Sequence, residues 1–161
     1  MVYGVAPLPI DPAVDVGAVF GHGGTAEIEL AGYDLPSGPW QPGDVLPLTL
    51  FWRAQVPVAG DYKVFVHLVD ATGQIVAQND AAPVAGLRPT SSWSPGEVVV
   101  DPHGVLLRGA SQELAPGEYR LHVGIYLPAT GERLVVAQEP AVSGGDSLFL
   151  TSVQVVSPEG E

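Results

Sequence analysis

The feature that most constrains this 161-residue chain is an alternation of period two, repeated in many short segments. Leu46, Leu48, Leu50, Trp52 and Ala54 fall on one side of an extended segment, with Thr49, Arg53 and Gln55 on the other. Tyr62, Val64, Val66 and Leu68 oppose Lys63, Phe65 and His67 in the same way. Tyr119, Leu121, Val123, Ile125 and Leu127 oppose Glu118, Arg120, His122 and Gly124. Successive side chains of a strand point to opposite faces, so each segment has one side to bury and one to present. Weaker strand candidates occupy residues 14–20, 27–33, 74–78, 98–100, 105–108, 132–138 and 148–156, divided by clusters of Gly, Pro, Asp and Ser. No useful stretch free of Pro and Gly holds an i, i+3, i+4, i+7 apolar pattern, so little or no helix is expected. The expected fold is all-β, a single β-sandwich of Ig-like or jelly-roll-like type with about 8–10 mostly antiparallel strands.

The turns repeat. Trp40-Gln41-Pro42-Gly43-Asp44 returns as Trp93-Ser94-Pro95-Gly96-Glu97 and as Leu114-Ala115-Pro116-Gly117-Glu118. Proline presets φ at the second position of a turn and glycine accepts positive φ at the third, which predicts type II turns before strands. A longer echo runs from Gly60-Asp61-Tyr62-Lys63 through Ala71-Thr72-Gly73-Gln74 to Ala77-Gln78. It recurs from Gly117-Glu118-Tyr119-Arg120 through Ala129-Thr130-Gly131-Glu132 to Ala137-Gln138. Both copies read as strand, Gly-containing turn, strand, which predicts two related hairpins within one sandwich. The domain is expected over 14–156, with a linker-like or irregular segment at 1–13 and a tail at 157–161. Pro-rich and Gly-containing ends of this kind suit a domain belonging to a longer chain.

Cysteine is absent, which removes thiolate nucleophiles and zinc–thiolate sites and leaves the redox compartment open. Eighteen acidic against six basic side chains give a formal charge of −12, which repels phosphate backbones and anionic lipid surfaces. Nucleic acid is therefore not an expected partner. No apolar run approaches the roughly 20 residues that cross a bilayer, so direct membrane insertion is not expected either.

Catalytic signatures are sparse. Gly145-Asp146-Ser147-Leu148 spells the motif of the GDSL esterases, but in that family the Asp and His of the triad lie far downstream. Only thirteen residues follow Leu148, none of them His. His22-Gly23-Gly24 has the look of an oxyanion loop, yet the companion Gly-x-Ser-x-Gly elbow is missing. No catalytic residue is nominated, and a loop reading is preferred for both motifs. The histidines at 22, 67, 103 and 122 show no close metal-ligand spacing. Asp70, Asp80 and Asp101 are the loop-proximal candidates for Ca²⁺, although no Asp-x-Asp-x-Asp run supports them and a solvated acidic surface explains them as well. No other cofactor is indicated.

Sugar binding would use an aromatic face against the apolar side of a pyranose, with carboxylates and amides on its hydroxyls. Trp40, Trp93 and Tyr126 are the candidate rings, and His67, His103 and Asp101 complete the ligand-binding set. Trp40, Trp93 and Leu114 occupy equivalent places before the Pro-Gly turns, which favours an apolar plug over a stacking platform at those sites.

A scatter of short motifs also resembles a known family. They are Gly32-Tyr33, Pro42-Gly43-Asp44, Leu50-Phe51-Trp52-Arg53-Ala54, and Asp61 to Leu68. Further along come Ala77-Gln78-Asn79-Asp80, Pro89-Thr90, Trp93 to Glu97, Asp101-Pro102-His103, Gly124-Ile125-Tyr126 and Gly131-Glu132-Arg133-Leu134. Together, over residues 25–156, they resemble the soluble β-sandwich appended to bacterial multi-spanning membrane glycosyltransferases of the family 39, mannosyltransferase-like type. The resemblance implies an extracytoplasmic face and a role in holding glycans or lipid-linked sugars. It implies, as partner, the membrane portion of the same parent chain, and it carries no catalytic residue with it. The expected function is a non-catalytic accessory or binding module. The alternatives are a spacer or oligomerising domain, with Phe65, Val69 or Tyr126 exposed for an interface, and last an esterase-type hydrolase.

Overall fold

The computed structural model describes residues 12–22, 25–108, 114–136 and 145–157. The expected leading segment 1–13 and tail 157–161 lie almost wholly outside these, as do Gly23 and Gly24 and residues 137–138 of the second hairpin. Nine strands follow in order among the described residues: β1 (Val14–His22), β2 (Thr25–Asp34), β3 (Val45–Ala54), β4 (Lys63–Val69), β5 (Ile75–Ala81), β6 (Val98–Leu106), β7 (Gly117–Tyr126), β8 (Val135–Val136) and β9 (Leu148–Val155). Among the described residues helix is confined to two short 3₁₀ turns, Pro83–Gly86 and Thr90–Ser92, and no described helix is long and apolar enough to cross a membrane.

The strands form two antiparallel sheets, ordered β6-β3-β2-β1-β8 and β5-β4-β7-β9, facing each other as a sandwich. The alternating positions meet between them. Leu46, Leu48, Leu50 and Trp52 of β3 are fully buried, as are Val66 and Leu68 of β4 and Leu121 and Val123 of β7. Phe20 packs edge-on against Trp52, ring centres 5.8 Å apart, a preferred geometry for aromatic pairs.

Two sequence expectations need correction. The sequence predicts residues 98–100 and 105–108 as separate strands; β6 instead runs unbroken through Asp101-Pro102-His103-Gly104. Proline removes a ladder donor, and β6 is the edge of its sheet, where a missing outward N–H costs nothing. Pro47 in β3 is tolerated for a related reason, since the pairing with β2 ends at Thr49 and leaves position 47 paired with β6 alone.

The second correction concerns the paired hairpins. The first copy forms as expected, with β4 and β5 in register around a turn whose Gly73 has φ +90°. The second copy starts alike: Gly131 has φ +76°, the Leu127 N–H donates to the Glu132 carbonyl, and Arg133 bridges Tyr126. It then opens, because β9 occupies the rest of that edge of β7 from Val123 onward. Two strands cannot share one edge, so residues 135–136 cross to pair with β1 in the other sheet.

The first two Pro-Gly turns behave as type II. Gly43 and Gly96 have φ of +93° and +85°, with Asp44 N–H donating to the Gln41 carbonyl and Glu97 N–H to that of Ser94, each at 3.0 Å. The acid after each glycine reaches back to the first turn residue, Asp44 accepting from Gln41 N–H and Glu97 from Ser94 N–H. The third copy differs: Gly117 is more extended, at φ +153°, and already belongs to β7.

Candidate functional site

The outer face of the four-stranded sheet carries the residues that alternation turns away from the core. From β4 these are Phe65, His67 and Val69; from β7 they are Arg120, His122, Gly124 and Tyr126. Register sets them in cross-strand pairs, Phe65 with Gly124, His67 with His122, and Val69 with Arg120. Gly124 has no side chain, and the Phe65 ring fills the space: a Cβ built there would lie 2.1 Å from Phe65 Cζ. The ring is enclosed further by the Arg133 guanidinium 4.3 Å above its centre and by His67, stacked at 4.4 Å. At the opposite end Phe149 of β9 lies 5.7 Å from the His122 ring, with the Arg120 guanidinium 5.5 Å from its centre. A row Phe65, His67, His122, Phe149 thus crosses the sheet with an arginine over each end. Phe65 is covered, whereas Phe149 is 47% exposed.

Above the two histidines at the middle of this row lies a cleft of about 660 Å³. Its floor is His67 and His122. Arg120 and Arg133 line it too, with Asp70 and Ile75 from the β4–β5 turn region, Glu118 at the start of β7, and Ser147 just before β9. Asp70 uses one carboxylate oxygen to hold its own turn, accepting from the Thr72 hydroxyl at 2.6 Å and from the Thr72 and Gln74 N–H groups. Hydrogen bonds from Thr72 and then Gln74 keep its carboxyl below the ordinary range. Arg133 lies 3.4 Å from Asp146, and His67 4.0 Å from Asp80 on β5. Desolvation pushes the Tyr126 hydroxyl up, and the Asp80 carboxylate beside it adds to the shift.

Both floor histidines have pKa values below the ordinary 6.5. For His67 desolvation dominates; Asp80 opposes it, while Arg133 and His122 reinforce it. For His122 desolvation again leads, with Arg120 adding to it. A depressed folded-state pKa means that the unfolded chain takes up the proton first, so stability is fully present above pH 6.5 and is lost as pH falls through the folded values. The urea midpoint is therefore expected to fall between pH 7.5 and pH 5.5 in the parent, and to stay nearly flat in a His67→Gln, His122→Gln double variant.

A second polar group is sealed inside the sandwich. Val99, Asp101, His103 and Val105 are the inward positions of β6. Asp101, 0% exposed, accepts from Trp52 Nε1 at 3.1 Å, from the Val84 N–H at 2.7 Å and from His103 Nε2 at 2.7 Å. The Asn79 side-chain amide on β5 lies 2.7 Å from His103 Nδ1. Three donors meet on one carboxylate, and His103 carries the connection on to β5 of the other sheet. With every partner satisfied and no solvent access at Asp101, the arrangement is a structural clasp.

The sequence-predicted residues therefore separate. His67 lies in the cleft, and Asp70 lines it. Asp80 and Tyr126 stand beside it, through His67 and Phe65 respectively. His103 and Asp101 do not join them: Asp101, expected near a loop, and His103, expected at the ligand, both lie in the core on the continuous strand β6. Asp101 consequently has no oxygen open to a metal. Trp93 is only 4% exposed and donates its indole N–H to the Arg88 carbonyl at 2.9 Å, so its face is not offered to a ligand. Trp40, Trp93 and Leu114 all pack on the core, as the plug reading requires. Among the described residues no group of three His, Asp or Glu is arranged to hold a metal ion. Phe65, expected at an exposed interface, is only 1% exposed beneath Arg133.

Sequence reasoning missed Arg120, Arg133 and Ser147 as cleft members and Phe149 as their neighbour. Arg120 had a readable signal, its place two residues before His122 on the outward side of β7. Arg133 and Ser147 reach the cleft through the crossing of the chain between sheets, which alternation does not encode. No family model matches the chain, and no curated protein matches it.

Proposed function

We propose that this domain is a non-catalytic, extracytoplasmic binding module of a larger glycosyltransferase-like membrane protein, and that it holds carbohydrate in the cleft on the outer face of the four-stranded sheet. The localisation and the parent protein rest on the motif resemblance. The carbohydrate clause rests on one observation: half-buried His122 lies in the cleft beside the forked donors of Arg120 and Arg133, and exposed Phe149 adjoins the cleft through its contacts with His122 and Arg120. Sugar recognition needs that combination of an apolar ring for the pyranose face and fixed polar groups for its hydroxyls.

Calorimetric titration with a panel of neutral and acidic oligosaccharides tests the reading. At least one saccharide is expected to bind with submillimolar Kd, and Phe149→Ala to weaken it about tenfold, the loss of about 1.4 kcal/mol of ring contact. Because Phe149 is half exposed, its thermal midpoint should hardly change. No heat from any saccharide at millimolar concentration would overturn the carbohydrate clause and leave a spacer or oligomerising domain.

One observation favours a second reading. Ser147 lines the same cleft as His67 and His122, so upstream histidines supply what the residues after Leu148 lack. Among the described residues no hydrogen bond joins that serine to a histidine, whereas an activated serine requires one in the reacting complex. Loss of short-chain ester hydrolysis in Ser147→Ala would establish the hydrolase; equal rates in both proteins would remove it.

A further inference from the structure

Against an overall charge of −12, this cleft is locally balanced, with Arg120 and Arg133 facing Asp70 and Glu118 in its lining. Only six Lys and Arg and four His are present in the chain, yet two arginines and two histidines line this one cleft. Their depth matters more than their number. The floor holds His67, 9% exposed, and half-buried His122, paired across the strands; Arg133 sits half-buried over Phe65, and Arg120 stands over Phe149. The acids have other engagements or sit at the margin. Asp70 is bound to its own turn, Asp146 lies against Arg133, Asp80 is on the far side of His67, and Glu118 is at the exposed start of β7. At the floor itself the titratable groups are His67 and His122, flanked by Arg120 and Arg133, while Asp70 and Glu118 line the cleft away from that pair.

We infer that the saccharide bound in this cleft is anionic, bearing a carboxylate or a phosphate that lies over the His67–His122 pair between Arg120 and Arg133. This deepens the carbohydrate reading and rests on it. A planar guanidinium matches either group with two parallel hydrogen bonds, and charge-assisted bonds are about twice as strong as neutral ones. The neutral histidines add a second consequence. An anion above them favours their protonated forms, opposing the burial and the two arginines that hold them neutral, so binding takes up protons. Affinity then rises as pH falls from 7.5 toward 5.5.

The test compares three probes on the intact domain: maltose as the neutral disaccharide, a glucuronate-containing disaccharide of the same size, and glucose 1-phosphate as a phosphorylated monosaccharide. Inorganic phosphate is the fourth. At least one charged saccharide is expected to bind ten times or more tightly than maltose, more tightly again at pH 5.5, and to lose that advantage in Arg120→Gln. Arg120 is exposed, so this variant should fold, and circular dichroism checks that it does. Which charged probe wins separates a uronate from a phosphorylated, lipid-linked type of sugar. Maltose binding as tightly as both would overturn the charge inference while leaving the carbohydrate reading intact. Inorganic phosphate matching glucose 1-phosphate would overturn the saccharide requirement. No binding by any probe would remove both proposals together.

Discussion

Asp101→Ala is expected to destabilise the domain by about 4 kcal/mol, the order found when one partner of a buried charged network is removed. The carboxylate is fully enclosed and accepts from Trp52, Val84 and His103. Truncation leaves those donors in a dry interior, each at a desolvation cost of about 1–3 kcal/mol, less whatever relaxation recovers. The Val84 contact gives the loss a local signature. Val84 and Ala85 both have left-handed backbones, φ +52° and +53°, and a β-branched residue there is strained. The Asp101 carboxylate anchors that turn through the Val84 N–H at 2.7 Å. In the parent this amide should exchange slowly with solvent; in Asp101→Ala it should exchange far faster than the β3 amides. Asp101→Asn keeps an acceptor and should lose roughly half as much. A loss below about 1 kcal/mol in the alanine variant would mean that the clasp is not formed.

The second large effect is expected at Gly124. A Cβ there would meet Phe65 at 2.1 Å from Cζ and 2.3 Å from Cε2, and the ring cannot lift away because Arg133 covers its other side. Gly124→Ala should therefore cost about 3 kcal/mol, at the upper end for overpacking. It should also disturb the cleft, since the displaced ring stacks on His67. The remedy is specific. In a background of Phe65→Ala the added methyl has room, so the double variant should be more stable than the two single losses predict, by about 1 kcal/mol or more. Strict additivity in urea unfolding would contradict the pairing of Phe65 with Gly124.

How far the sequence discloses this molecule depends on which physical rule governs each part. The inward rows of β3, β4 and β7 were readable because alternation is a local consequence of strand geometry and these residues are uniformly apolar. In β6 the same rule operates, but two of its four inward positions are Asp101 and His103. Polar residues inside a sheet read as surface until a partner is known, and Trp52 and Asn79 are distant in sequence. The gap expected between residues 100 and 105 is absent because edge position, which excuses Pro102, is a property of the whole sheet. The second hairpin failed for a similar reason, since its turn chemistry is correct and only the later arrival of β9 denies it the edge of β7. The candidate cleft was half visible: His67, Arg120 and His122 alternate outward on strands whose pairing could be anticipated. Arg133 and Ser147 complete it by long-range placement that no local pattern carries.

The central claim is that the outer face of the β5-β4-β7-β9 sheet is where this domain meets its ligand. Mapping backbone amide shifts by NMR during titration with the tightest-binding saccharide tests it most directly. The expected perturbations cluster at residues 67–75, 118–122, 133 and 147–149, with the His67 and His122 ring signals moving in step. Perturbations centred on the separate groove that Tyr33, Trp40 and Gln154 line at the edge of β9 would contradict it.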